Sequence, residues 1–563
     1  MRLLKNRISI IIILISITGL LLINMNHHKW EREGVIEFDI KSYYSYLPAS
    51  FIYKDMRLNF TDTSAFLMKK MDPVYLVNGN KLILTSYGMS VLYSPFFFIA
   101  HLVALKSEKF EANGYSLPYE FALNMSSVFY LIIGLLVLRI LLLKYFKDWI
   151  VALSIFAIVS GTNLTFFATY KAAMPHVYNF TFITVFILAV FHWYKSPTYW
   201  KTIVLGFLLG FIILLRPTNI LVTLILFFWD IKSIREVRDR IIFFFKRFDL
   251  VLIIGIAVIV VWIPQFIYWE FVTGQWFFYS YGAENARFFW SNPQILEILF
   301  SFKKGWFVYT PIMFLSVVGI LFLRKYVRQA FLPVLIFTLL NIYVQSCWWC
   351  WWFGGGFSMR IFIDSYGLLA LPLAAFIEYS SGKNILKYAF PVVLIALISL
   401  NLFQSKQFIN NAIHYYWNNK ELYCLNFFKS KPVENFMDYV VFPDYFSAKS
   451  GIYKSMKPEE FFRKRLKVTY RDDYLNELIK KKNLVEELKQ NHNFSDKEIY
   501  SSLSKYASAK VNLNISDSIS SIKDEIIENK EWLYFIKKES KNRNISVDSV
   551  LNLEIQHIID VEL

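Results

Sequence analysis

The stretch KSIREVRDRIIFFFKRFDLVLIIGIAVIVVWIPQFIYWEF, residues 232–271, decides the class of this protein. Residues 232–247 carry six Lys or Arg, and from 249 to 271 the chain is almost wholly apolar. About 20 apolar residues suffice to cross roughly 30 Å of hydrocarbon as a helix. Loops rich in Lys and Arg stay on the cytoplasmic side, so the stretch reads as a membrane helix entered from a basic inner loop.

The same reading extends outward. The 563-residue chain is 56% hydrophobic and 19% aromatic, which excludes an ordinary soluble domain. Apolar runs of spanning length recur near 4–25, 87–105, 119–143, 150–168, 174–194, 200–215, 217–229, 249–271, 306–323, 330–346, 360–379 and 385–403. The fold class expected is therefore an all-α, polytopic integral membrane protein with about 11 to 13 transmembrane helices. The first run follows a basic MRLLKNR and no A-x-A-like site follows it, so it reads as an uncleaved first helix.

Net charge is +17, which in a soluble protein would suggest nucleic acid. Here the bases sit in loops: RKYVR at 324–328 adds three more to the basic loop above, so both loops are expected inside and no nucleic-acid partner is expected. From residue 451 the tail is nearly neutral, with 20 Lys and Arg against 19 Asp and Glu. That orientation puts the loops at 272–305 and 347–359, and everything after 404, on the outer side. Counting back leaves a conflict of one crossing between an inner N-terminus, KYFKD (144–148) inside and KAAMPH (171–176) outside. A re-entrant or partly crossing helix near 87–105 repairs it.

Two units follow: residues 1–403 as a membrane domain with a first outer loop at 26–86, and 404–563 as a small, mostly helical outer domain. In the tail, Ile522, Ile526, Trp532, Phe535 and Ile536 share helical spacing and form one apolar stripe. Cys347, Cys350 and Cys424 cannot build a disulfide framework, and C-x-x-C within SCWWCWW reads as two small buried residues or one local bond.

A charge at or inside an apolar segment is costly and is kept mostly where it faces a cavity and a partner. Asp39 stands out in GVIEFDIKSYYSYLPASFIY (34–53). If 36–47 is helical, Asp39, Tyr43 and Tyr46 share a face and Pro48 closes the helix. A carboxylate in an aromatic, partly dry setting suits taking a proton from a hydroxyl or amine; a helix-capping or salt-bridged surface Asp is the alternative.

The pieces FDIKSYYSYLPA (38–49), LTSYGMSVLYSPFFFIAHLVA (84–104), TYKAAMPHVYNFTF (169–182), GFLLGFIILLRPTNIL (206–221), LFSFKKGWFVYTPIMFLSVVGILFL (299–323) and WWFGGGFSMRIFIDSYGLLALPLA (351–374) stand in the order seen in GT-C type glycosyltransferases. Over residues 1–403 the chain resembles the bacterial polytopic enzymes related to protein mannosyltransferases and to the aminoarabinose transferase of lipid A. The resemblance implies a transferase of the cytoplasmic (inner) membrane with its site on the outer face. Such an enzyme takes a sugar from a polyprenyl-phosphate donor with inversion and passes it to an envelope acceptor, whether protein, glycolipid or polysaccharide. Asp39 would be the base.

On that implication a phosphate leaving group needs fixed cations. Arg360, after GGGFSM, can fork onto phosphate oxygens, with Asp364 one turn on to hold it; snorkelling from a helix end is the alternative. Lys303 and Lys304 either share the phosphate or anchor the interface. His176 and Lys171 can bond phosphate or sugar, Tyr43 and Tyr44 flank the base, and Glu284, with Arg287, either lines the acceptor side or makes surface pairs. Lys81 and Tyr87 stand nearest to the place of the family's KPPL-like segment, which is absent. Arg216 before Pro217 reads as a helix break held by local hydrogen bonds. No D-x-D marks the outer loops, so neither metal nor other cofactor is expected. A flippase or transporter of a lipid-linked saccharide would also want a basic, aromatic-lined cavity.

Overall fold

The computed structural model describes residues 7–456, apart from 33, 77–78, 281–285, 417 and 435, together with residues 537 and 547. Glu284 and the apolar stripe at 522–536 lie outside the described residues. What is described is mostly helical, and its strands are two short antiparallel pairs, Val74–Tyr75 with Lys81–Leu82 and Phe442–Pro443 with Ser455–Met456. Eight helices are long and apolar enough to cross a membrane: Ile8–Glu31, Gly88–Leu105, Leu117–Leu142, Pro175–Lys195, Phe248–Thr273, Arg328–Ser346, Arg360–Ser381 and Leu386–Ile409. Asp148–Ser160, Tyr199–Leu215 and Pro217–Phe228 are shorter apolar helices, and Ile312–Tyr326 packs along the partner helix Tyr366–Ser381.

Between apolar helices in lipid, close approach of small residues replaces the hydrophobic drive. Gly206 and Gly210 stand one turn apart on Tyr199–Leu215. A Cβ at Gly206 would come within 2.6 Å of the Ala257 Cβ, and one at Gly210 within 2.9 Å of the Val258 backbone, so the two helices meet backbone to backbone.

Hydrogen bonds sort the connections into two ends. At one end the Asp148 carboxylate accepts from the amide of Ile8 at 2.8 Å, the buried Arg139 donates to Ser9 at 2.7 Å, and the Asp230 amide donates to the Gln329 carbonyl at 2.9 Å. Arg240 closes the same end by donating to the carbonyl of Trp229 at 2.9 Å. The other end collects Asp39, residues 171–176, the break at Arg216–Pro217, and residues 304–310 and 354–364.

Gly88–Leu105 is long enough to cross but does not link these ends. On its N-terminal flank the Thr85 amide donates to Ser42 at 3.0 Å and Ser90 donates to the carbonyl of Tyr43 at 2.5 Å. On its C-terminal flank Tyr44 and Tyr53 donate to the carbonyls of Gly114 and Asn113 at 2.5 and 3.1 Å. Both flanks are thus tied to the same short helices, Asp39–Tyr44 and Tyr46–Phe51. Its side chains meet well-separated points of Leu117–Leu142, with Phe96 on Phe129 and Tyr130 but Phe97 on Tyr119. Both flanks of this helix are therefore held near Asp39–Tyr44, the arrangement that a partly crossing helix requires.

The expected single helix over 36–47 is replaced by two. Ser45 separates them, and Pro48 lies in the first turn of Tyr46–Phe51, where its missing N–H costs no hydrogen bond. The tyrosine stripe does not form as expected either: Tyr46 is buried, packs on Tyr268 and donates to the Thr85 carbonyl at 2.8 Å.

Candidate functional site

Asp39 is held in place by a residue at the head of another helix. Glu120, buried in the first turn of Leu117–Leu142, accepts from the amides of Val35 and Ile36, the latter at 2.8 Å. Lys70 bridges Glu120 at 3.5 Å and Glu37 at 2.7 Å. This network pins the turn that precedes Phe38. Phe38 itself has φ 52° and ψ −134°, close to a region that only glycine enters freely, and it starts the helix on which Asp39 is the first residue.

Asp39 accepts from Arg360 at 3.2 Å; its side chain is 53% exposed and that of Arg360 18%. The dry aromatic setting expected for Asp39 is therefore absent, because the carboxylate stands half in solvent beside a guanidinium. Lys171 lies 5.0 Å over the Phe38 ring, which brings a further cation to the neighbourhood. Arg360 rests against the glycine loop before it: a Cβ on Gly356 would meet its Cδ at 3.4 Å, and Gly354, at φ +66°, has its Cβ position 4.0 Å from the guanidinium.

Asp364 does not hold Arg360, contrary to expectation. The two belong to a 3-10 helix, Arg360–Ser365, where each residue turns about 120°. Residues four apart share a face on an α-helix but diverge by about a third of a turn on a 3-10 helix. Arg360 reaches Asp39, while the buried Asp364 accepts from His176 at 3.0 Å, Arg216 at 3.3 Å and Asn219 at 3.2 Å. Pro175 sets the start of the helix carrying His176, and Pro217 breaks the chain so that Arg216 and Asn219 both face inward. His176 is thus a partner of Asp364, shielded from solvent, rather than a free contact for phosphate or sugar.

Lys304 is fully buried and donates to the Gly356 carbonyl. Among the described residues no carboxylate pairs with it, and burial, with Arg360 and Lys303 nearby, pushes its pKa well below the usual lysine value. Its amine shares the glycine loop with Arg360, so two basic side chains converge there.

Other candidates lie apart from this cluster. Lys81 is buried against Asp62 at 2.7 Å and Thr61 at 2.9 Å, which locks the loop after residue 58. Tyr87 donates to the Val261 carbonyl at 2.5 Å, and Tyr44 is wholly buried. Tyr43 is half-buried and its carbonyl accepts from Ser90. Lys303 stands over Trp352 at 5.3 Å and Arg287 over Phe289 at 4.9 Å, so both face aromatic rings rather than Arg360. Cys347 and Cys350 are buried free thiols, without the local disulfide. The residues that sequence reasoning missed are Asn219, Asn179 and Glu120; an Asn in RPTN and a Glu within an apolar run were the available signals.

No protein-family model matches this chain, and no curated protein matches it. The site must be read from its own chemistry. A half-exposed carboxylate, a guanidinium, a buried lysine amine with no acidic partner among the described residues and a second buried carboxylate–Arg–His group share one end of the bundle. Such an arrangement can receive an anion at Arg360 and Lys304 and accept a proton at Asp39.

Proposed function

We propose that the chain is a polytopic membrane glycosyltransferase of the GT-C type. It moves a sugar from a polyprenyl-phosphate donor to an envelope acceptor with inversion. The observation that carries this reading is the 3.2 Å pair of Asp39 and Arg360 at a bundle end where Lys304 is buried without a counter-charge among the described residues. Eleven helices run between the two ends when Gly88–Leu105 is left out and Asp148–Ser160, Tyr199–Leu215, Pro217–Phe228 and Ile312–Tyr326 are included. The basic loops 232–247 and 324–328 lie at the end opposite Asp39, so positive-inside orientation in the cytoplasmic membrane turns Asp39, and the described residues after Ile409, outward.

The chemistry follows from the charges. A donor phosphate approaching Arg360 and Lys304 displaces Asp39 from the guanidinium, and the freed carboxylate takes the acceptor proton. The acceptor oxygen forms its bond to the anomeric carbon while the bond to the phosphate oxygen breaks. The electron pair leaves with the polyprenyl phosphate, where the two cations stabilise it. The base and the cations come from different elements, yet they touch before the donor arrives. Their separation is a consequence of donor binding rather than a fixed feature of the fold.

Purified protein in detergent, with a polyprenyl-phosphate sugar and an acceptor, tests the reading. Asp39→Asn keeps the shape and removes the basicity, so transfer should fall about 10² to 10⁴-fold while donor still binds. Wild-type turnover in that variant would leave Asp39 a surface ion-pair partner only.

A further inference from the structure

Beside the Asp39 cluster, a second concave site opens between residues 418–420, 443 and 453–455 and the loops at 294–303 and 351–352, with a volume of about 440 Å³. That lies within the range of about 300 to 1,000 Å³ of small-molecule pockets. Three lysines line it, Lys303, Lys420 and Lys454, and Glu297 is the one acidic residue in its described wall. None of the three lysines has a carboxylate within ion-pair distance among the described residues. Trp351, Trp352 and Tyr453 supply aromatic surface.

Gln294, Ser301, Asn419 and Ser455 add amide and hydroxyl side chains to the wall, which suit a ligand rich in hydroxyl groups. Surplus cations ask for negative charge on that ligand, and indole faces suit the C–H face of a pyranose ring.

We propose that this cavity binds an anionic saccharide, a sugar bearing a carboxylate or a phosphate. The proposal stands apart from the transfer reading, since it concerns a site that needs neither Asp39 nor Arg360. Binding is measured on the purified full chain in detergent by tryptophan fluorescence and ligand-observed NMR. The probes are a glucuronate-containing disaccharide, glucose 6-phosphate, cellobiose and inorganic phosphate, each up to about 10 mM, a limit that covers weak millimolar binding.

The expected result is that at least one anionic sugar binds about tenfold or more tightly than both cellobiose and inorganic phosphate, as one added charge-assisted hydrogen bond implies. The preferred anionic sugar then tells carboxylate from phosphate as the source of the charge. Lys420→Glu and Lys454→Glu change exposed side chains that the fold does not use, and each should weaken that binding about tenfold or more. Equal binding of cellobiose or of inorganic phosphate would overturn the proposal. So would an absence of binding by both anionic sugars, or unchanged affinity in both variants.

Discussion

Replacing Asp364 by Asn should destabilise the protein far more than the same change at Asp39, although both carboxylates pair with an Arg. The Asp364 side chain is 4% exposed and takes hydrogen bonds from Arg216, His176 and Asn219 at 3.3, 3.0 and 3.2 Å. An amide there removes the counter-charge of Arg216, itself 17% exposed, and presents an NH2 group to residues that are already donors. Removing one partner of a buried pair costs about 3 to 5 kcal/mol, and partial exposure of Arg216 favours the lower end. At Asp39, 53% exposed, water replaces the lost interaction, so the cost is about 0 to 1 kcal/mol. Detergent-solubilised membrane proteins lose structure irreversibly, so the quantity to measure is a half-life at fixed temperature. If about 3 kcal/mol is felt in full at the unfolding barrier, the half-life of Asp364→Asn shortens about 100-fold. For Asp39→Asn the factor stays below about fivefold. Monodispersity on size-exclusion chromatography, followed by tryptophan fluorescence over time, gives both values. Equal decay of the two variants would refute the division of labour, with Asp364 holding the fold and Asp39 free to act.

Arg360→Lys keeps the charge but loses the planar fork, so donor affinity should fall by about 1 to 3 kcal/mol, and unchanged binding in an equilibrium lipid-donor assay would remove Arg360 from the phosphate. Lys303, half-buried beside the tryptophans, has its pKa lowered by desolvation from the usual lysine value to about 8. Its acylation, followed by mass spectrometry, should therefore rise with a midpoint near pH 8, and a midpoint above about 10 would contradict the burial. The sign for stability follows: the unfolded chain holds this proton more tightly, so the penalty is complete below pH 8 and is relieved as pH rises toward the ordinary lysine value.

Apolar runs, basic loops and the break at Arg216–Pro217 were legible because each rests on a local rule of length, charge or proline chemistry. The same was true of Asp39 and Arg360 as singular charges near a membrane face. Their pairing was not legible, since residues 39 and 360 meet only through tertiary packing. The assignment of Asp364 to Arg360 failed because i, i+4 spacing was read on an α-helix where the chain is 3-10. Gly88–Leu105 was ambiguous for a related reason: hydropathy measures length and greasiness, whereas the direction of this helix is set by Ser42, Tyr44 and Tyr53, which tie down its two flanks.

Phe38 carries the strongest hint that this end of the bundle is arranged for something other than stability. It is 77% exposed, so its ring gains little from burial, yet its backbone sits at φ 52°, ψ −134°, immediately before Asp39. Three other non-glycine residues at positive φ, Ala173, Phe353 and Ser358, lie in the loops that deliver His176 and Arg360. Strain of about 1 to 3 kcal/mol per residue persists only where surrounding structure imposes it. At Phe38 the imposing structure is the Glu120–Lys70 network behind the turn. Phe38→Gly relieves that strain, at a cost of about 0.5 to 1 kcal/mol of backbone entropy and a similar amount for the lost contact with Lys171. The expected net effect on the fold lies between a loss of about 1 and a gain of about 2 kcal/mol, with sugar transfer reduced because Asp39 and Lys171 are less firmly placed. A half-life assay and a turnover assay on the same preparation separate the two effects. Lower stability together with unchanged turnover would mean that Phe38 serves the fold and that its conformation has no part in the chemistry.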